Sequence, residues 1–410
     1  MSDAVHIDDL VHPVFSPEVD EIRAAMATMA DDCVLERDAL LARARAESGL
    51  HDFGARDFEE PLEVLVQAIV ATAHLSPVGV FSIHTQLVQL LKNRLLLTDL
   101  LRRHPEIHDV DVVAPIIIAG LPRTGTTHLH NLLAADPALR YLPYWESIEP
   151  FPVPAEEGLE PDPRIGRTEQ ALWFMDLAMP LFPLMHEITP WAAHEEIHLL
   201  AIDFSTMFFE TLAHVPAWTD YYRAHDQTPH YRYMRTALKA LQFLTGDQRW
   251  VLKSPQHIEQ FGPLTDVFPD ATVVVTHRDP VDVVISMATM IAYTARMSAD
   301  SVRPDVRGHY WADRIEQMLR ACVRDRDQLP ADNTFDVRFD EFMADDLAMV
   351  RRIYELADQP FEGKAHQAMA EYLATHRRGH LGRIDYRPDE VGLDRAELRE
   401  RFAFYVDRFL

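Results

Sequence analysis

The sequence predicts an α/β protein, with a central parallel sheet flanked by helices and a helical N-terminal extension before it. Three observations carry this. The stretch P-I-I-I-A-G-L-P-R-T-G-T-T-H-L-H-N-L-L, residues 115–133, reads as a short apolar strand, a glycine-bearing turn and the start of a helix. Three later strand candidates, Arg249–Leu252, Ala271–Thr276 and Thr334–Phe339, alternate with helical segments, the pattern of parallel strands joined by crossovers. Residues 17–103 carry helical periodicity.

The elements follow in order. Glu18–Ala46 mixes both charges with apolar residues at helical spacing, and Pro61–Leu101 is longer and more apolar. His104-Pro105 closes the pattern, since a residue before proline is pushed out of the helical region. A boundary near 110 then separates a helical extension over residues 1–110, packed on the core, from an α/β domain over 111–410. Pro115–Ala119 is rich in β-branched residues, as a buried strand requires, and Leu129, Leu132 and Leu133 share one helical face beyond the turn. Tyr141–Arg167 is proline-rich and acidic and reads as a surface excursion. Residues 171–218 are crowded with Trp, Phe and Met, among them Trp173, Phe182, Met185, Trp191 and Phe208. Two readings stand for them: a second helical core layer, or the walls of a pocket for an apolar ligand.

Composition narrows the function. With 410 residues and 48% apolar content, a sizeable core is available. A formal net charge of −26 argues against a nucleic-acid or anionic-membrane surface, so any anionic ligand needs a local basic pocket. Cys33 and Cys322 form neither a disulfide framework nor a metal-ligand spacing, which suits a reduced, cytoplasmic protein. The acidic start M-S-D-A-V-H-I-D-D-L lacks a signal-peptide core, and no apolar run is long enough to span a membrane. The oligomeric state stays open, a homo-oligomer included.

The turn after the first strand is where chemistry concentrates. Its spacing, G-x-x-x-x-G-T-T, is close to the nucleotide P-loop, but Thr126 stands where the lysine would reach the outer phosphates, and a cation appears inside the loop at Arg123. A strand before, a helix N-terminus after and a cation within make an anion site. Further on, V-V-V-T-H-R-D-P-V-D-V-V-I-S places Arg278 at a strand end and Ser286 about two turns along the next helix, within reach of one phosphate. W-V-L-K-S-P-Q-H places Lys253 where another strand gives way to a loop.

These strings resemble the sulfotransferases that use 3′-phosphoadenosine 5′-phosphosulfate (PAPS), over roughly residues 114–410. G-L-P-R-T-G-T-T is similar to the family's 5′-phosphosulfate loop, which implies that Arg123, Thr124, Gly125, Thr126 and Thr127 hold that phosphate. Arg278 and Ser286 have the spacing of its 3′-phosphate motif. Arg377-Arg378-Gly379-His380-Leu381-Gly382 looks like the late R-K-G-x-x-G segment that closes over the same phosphate, although Arg383 follows where cytosolic members commonly carry an acidic residue. Lys253 resembles the lysine beside the leaving oxygen. His128 stands where many members stack a tryptophan on the adenine.

The resemblance implies in-line sulfuryl transfer from PAPS as co-substrate to a hydroxyl of a small-molecule acceptor, with Arg123 and Lys253 on the developing charge. No cluster has metal-ligand spacing, so no metal is expected. Glu146, beside Tyr144-Trp145, is the first candidate for the general base; it lies near the place of the glutamate in tyrosylprotein members, at an interval about two residues longer. His257 is the second, four residues past Lys253 where cytosolic members have their histidine two past. Glu195, Glu196 and His198 are expected in the acceptor pocket. The Trp-, Phe- and Met-rich stretch points to an apolar alcohol or phenol of lipid, steroid, polyketide or aromatic type. The competing readings are a P-loop small-molecule kinase and a non-catalytic nucleotide-binding protein.

Overall fold

A computed structural model describes residues 4–361, 363–376 and 381–410. Five strands form one sheet: β1 (Ile116–Ala119), β2 (Leu139–Arg140), β3 (Arg249–Ser254), β4 (Thr272–His277) and β5 (Thr334–Arg338), in the order β2-β3-β1-β4-β5. Every pairing is parallel. The register sets Ala119 beside Ser254 on one side and Val275 on the other, so the carboxyl ends of β1, β3 and β4 finish together. The crossover leaving β1 runs past β3 to the edge strand β2, whereas the one leaving β3 runs past β1 to β4, so these two neighbouring strands send the chain in opposite directions and a crevice opens at their carboxyl ends.

Alternating strand residues feed the two faces. Ile116, Ile118, Val251 and Val274 pack with the helices on one side. Ile117, Ala119, Leu252 and Val273 belong to the larger cluster on the other, which runs without a break into Leu91 and Leu95 of the N-terminal helices. The extension is thus part of the main core. Its two long helical runs are four helices, Pro17–Met29, Arg37–Ser48, Glu59–Thr72 and Pro77–Arg103. The third ends at Thr72, and Ser76 starts the fourth: its Oγ accepts from the Gly79 N–H at 3.1 Å, with Pro77 in the first turn. The Ser-Pro signal was present in the sequence and outranks the apolar periodicity around it.

Two other expectations change. The segment read as a surface excursion holds a short helix, Tyr144–Ile148, with Glu146 and Ser147 buried, and Pro163 opens a helix to Ala178 behind its Asp162 cap. Strand β2 was invisible because two residues carry no periodicity. The apolar stretch of 171–218 divides: Phe182, Met185, Phe209 and Trp218 are buried, whereas Trp173 and Trp191 are 52% and 55% exposed.

Candidate active site at the carboxyl ends of the strands

The β1 turn is built by backbone constraint. A Cβ on Gly120 would sit 1.9 Å from the Thr276 hydroxyl at the end of β4, so only glycine lets the two strand ends approach. Arg123 and Gly125 both have left-handed backbones, φ +69° and +85°. The helix Thr126–Ala134 starts immediately afterwards, leaving its first-turn N–H groups without helical acceptors and pointing at the turn. The Thr124 hydroxyl is used inward, donating to the Leu121 carbonyl at 2.7 Å and meeting Thr276 Oγ1 at 2.8 Å. Thr126 is buried, while Thr127 is half-buried at the turn.

Three residues far apart in sequence meet here. Arg123 Nε donates to Ser286 Oγ at 2.9 Å, Nη1 to the Met185 carbonyl, and Nη2 to Tyr386 Oη at 3.1 Å. Arg278, at the exit of β4, donates from Nη1 to the Arg123 carbonyl at 2.6 Å and lies 4.2 Å over the Phe339 ring. Burial, with Arg123 nearby, holds the Arg278 guanidinium below its usual value. Every hydrogen-bond partner of these two cations among the described residues is an uncharged oxygen. Arg377, Arg378 and Gly379 lie outside the described residues.

Lys253, the last residue but one of β3, is buried and gives its ammonium to Glu195. Glu196 is fully buried: Oε2 accepts from the Lys253 N–H at 2.8 Å, and Oε1 lies 2.5 Å from His257 Nε2. His257 Nδ1 meets Tyr231 Oη at 2.8 Å, so both nitrogens of this buried ring are engaged. Glu146 is buried on Arg140, whose guanidinium lies 4.9 Å over Trp250 at the opposite end of β3 from Lys253. Burial pushes the Glu146 carboxyl up, and Arg140 pulls it partly back. Arg123, Arg278 and Ser286 are thus brought together; Lys253, Glu195, Glu196 and His257 form a second group; Glu146 joins neither.

Sequence reasoning named His198 for the acceptor pocket but passed over the two histidines beside it, His186 and His194. His186, His194 and His198 line up with ring centroids 6.4 Å and 4.7 Å apart, flanked by Phe182, Tyr144 and Phe208. Burial first, then the charges of Lys253 and Arg123, lower His186 to about 3, and burial alone lowers His198 to about 4. Their signal was W-A-A-H-E-E-I-H, where His194 directly precedes Glu195. Tyr386 was also missed, having no motif around it. His128 contacts Asp346 at 3.1 Å and lies 5.4 Å from the Phe342 ring. Among the described residues no group of three or more His, Cys, Asp or Glu is placed to hold a metal, and no helix is long and apolar enough to cross a membrane.

A crevice at the carboxyl ends of a parallel sheet, with a helix N-terminus and two arginines on neutral partners, is where open α/β proteins place their ligand sites. The chain belongs to the sulfotransferase family, whose model matches residues 115–363. It is similar in structure to sulfotransferase STF1 from Mycobacterium tuberculosis H37Rv, at 30% identity and a TM-score of 0.79, over 90% of this chain and 98% of that one. It is also similar to sulfotransferase STF9 from Mycobacterium avium, at 27% identity and a TM-score of 0.82, over 92% and 97% of the two chains. Among curated proteins none matches the chain. The parallel-sheet architecture and the helical N-terminal region are those expected from the sequence.

Proposed function

We propose that this transferase moves the sulfuryl group of PAPS onto a hydroxyl of a small apolar acceptor. The observation that carries the reading is the pair Arg123 and Arg278. In a chain of net charge −26, both guanidiniums are at least half-buried on uncharged oxygens, with no ion pair among the described residues. A planar cation left without a carboxylate is ready for a bidentate oxyanion. The residues fit the co-substrate. The β1 turn and the N-terminus of the following helix would receive the 5′-phosphosulfate, and Arg278 with Ser286 the 3′-phosphate. PAPS supplies the sulfuryl group when bound.

Arg123 and Lys253 would stabilise the charge that develops on the departing 5′-phosphate. Glu195 holds the Lys253 ammonium until a stronger anion competes for it. Phe182, Met185 and Phe208, next to the polar cluster, offer the apolar wall for the acceptor, at about 25 cal/mol per Å² of area buried. Calorimetry with adenosine 3′,5′-bisphosphate and with ATP·Mg²⁺ tests the reading: the bisphosphate binds more tightly. Preference for ATP·Mg²⁺ would favour a kinase. Transfer of labelled sulfate to matched apolar alcohols, phenols and oligosaccharides then tests the acceptor class, and preferential transfer to the oligosaccharides would sink it.

A further inference from the structure

We propose that His194, whose ring stands between His198 and His186 beside Lys253, is the catalytic base that removes the acceptor's hydroxyl proton. This rests on the sulfotransferase reading above.

The placement is rigid and comes from three directions. The Ala193 N–H donates to Asn131 Oδ1 at 3.1 Å, on the helix that follows the β1 turn. The His194 N–H donates to the Leu142 carbonyl at 2.7 Å, and the Tyr144 N–H to the Ala192 carbonyl at 3.0 Å. The next residue, Glu195, takes the Lys253 ammonium, so the backbone delivers position 194 to the cation expected at the leaving oxygen. The ring itself makes no hydrogen bond among the described residues, and residue 194 is half-buried. The two bases expected from the sequence are engaged: Glu146 on Arg140, and His257 on Glu196 and Tyr231.

The neighbouring ring is fixed in one tautomer. Ser147 Oγ donates to the Tyr144 carbonyl at 2.7 Å, so at 3.0 Å it accepts from His198 Nδ1, leaving the lone pair on Nε2. The groups facing His194 are Tyr144, His198, His186, His130 and Lys253. Burial first, then His198, His186, Lys253 and His130, hold His194 well below the ordinary imidazole value, so it enters the reaction neutral. An anion seated on Lys253 and Arg123 cancels part of that depression and makes the base stronger when it is needed.

In the step, His194 takes the hydroxyl proton as the acceptor oxygen bonds to sulfur. Lys253 and Arg123 receive the charge as the bond from sulfur to the bridging phosphate oxygen breaks and its electron pair stays on the 5′-phosphate. His194 then returns the proton to water.

The test follows histidine side-chain nitrogens by NMR in the full chain, titrated with adenosine 3′,5′-bisphosphate. The signal absent in His194→Gln is expected to move, and its apparent pKa to rise, on saturation. An unchanged titration of the saturated protein would overturn the proposal. With PAPS, His194→Gln should lose about 100-fold in rate on 1-octanol but less than about 10-fold on pentafluorophenol, which is already ionised. Equal losses on both would also overturn it. Failure of the bisphosphate to bind would instead bring down the PAPS reading, and this one with it.

Discussion

The molecule uses buried arginine in two opposite ways. Arg314 is fully buried and answers two carboxylates: its Nε donates to Glu210 Oε2 at 2.8 Å and its Nη1 to Glu259 Oε2 at 2.7 Å. Arg94 is similarly held, by Asp203 at 2.5 Å and by the Phe53 and Ala55 carbonyls, with His230 on the other oxygen of Asp203. Arg123 and Arg278 have no such partner among the described residues; they hold Ser286, Tyr386 and backbone carbonyls. A guanidinium taken from water loses hydration that only an anion restores fully. Where the fold supplies the anion, the arginine locks elements together. Where it withholds the anion, the guanidinium keeps its capacity to pair with one from outside the chain.

The largest effect expected from this contrast is on stability. Arg314→Met should destabilise the protein by about 3–5 kcal/mol, because it strands Glu210 and Glu259 in the core. Burial already raises the Glu210 carboxyl despite Arg314, so that carboxylate depends on its partner. Urea unfolding at pH 7 measures the loss. The triple variant Arg314→Met, Glu210→Gln, Glu259→Gln should recover much of it, and no recovery would mean that packing, not charge, sets the cost.

That contrast also separates what the sequence could and could not disclose. The β1 turn was legible because G-x-x-x-x-G-T-T is local: strand, turn and helix N-terminus lie within twenty residues. Arg278 and Ser286 were legible for the same reason, sharing a strand end and one helix. The Arg123–Ser286 contact spans 163 positions and the Arg123–Tyr386 contact 263, and no periodicity encodes either. Glu146 shows the converse limit. Its neighbours in sequence, Tyr144 and Trp145, suggested a desolvated base, but the side chain of residue 146 turns to Arg140. His198 was read, but His186 and His194 were not, because they come from a stretch whose dominant signal is apolar bulk. Of the late basic string, Arg377 to Gly379 lie outside the described residues.

The next effect is on binding. Arg278→Ala should weaken adenosine 3′,5′-bisphosphate binding by about 1.5–3 kcal/mol, and Ser286→Ala by about 0.5–1.5 kcal/mol. Adenosine 5′-phosphate binding should change far less in both. The unfolding midpoint of Arg278→Ala should stay close to that of the parent, unlike Arg314→Met. Calorimetry with the two nucleotides decides; equal losses for both would remove these residues from the 3′-phosphate.

A smaller pair of effects with opposite signs tests whether the turn stores strain for its site. Arg123 adopts φ +69°, which costs a residue with a Cβ about 1 kcal/mol relative to glycine. Arg123→Gly should therefore be about 1 kcal/mol more stable than Arg123→Ala. Both should lose the same bisphosphate affinity, since both remove the guanidinium. Chemical denaturation of the two variants reads the first difference. If alanine proved as stable as glycine, the left-handed turn would have relaxed, and the loop would be less rigid than its contacts imply.

The smallest effect comes from an arginine between the two extremes. Asp336 on β5 receives Arg326 at 2.6 Å and meets His277 at 2.8 Å, yet its side chain is 41% exposed. Burial alone would raise its pKa, but hydrogen bonds from His277 and Arg326, with their charges, lower it from 3.8 to about 2. A carboxylate whose folded value is depressed adds stability above its unfolded value and loses it on acidification. The contribution is therefore complete above about pH 4 and disappears as pH falls through about 2. Solvent screening at an exposed pair keeps it below about 1 kcal/mol. Asp336→Asn should lower stability at pH 7 by that small amount and progressively less as pH falls toward and below 2, so the two unfolding curves converge on acidification. Divergence toward low pH would mean that the His277–Asp336–Arg326 contact is not the source. A large loss at pH 7 would place this half-exposed pair with Arg314 instead, and burial would no longer explain why the two differ.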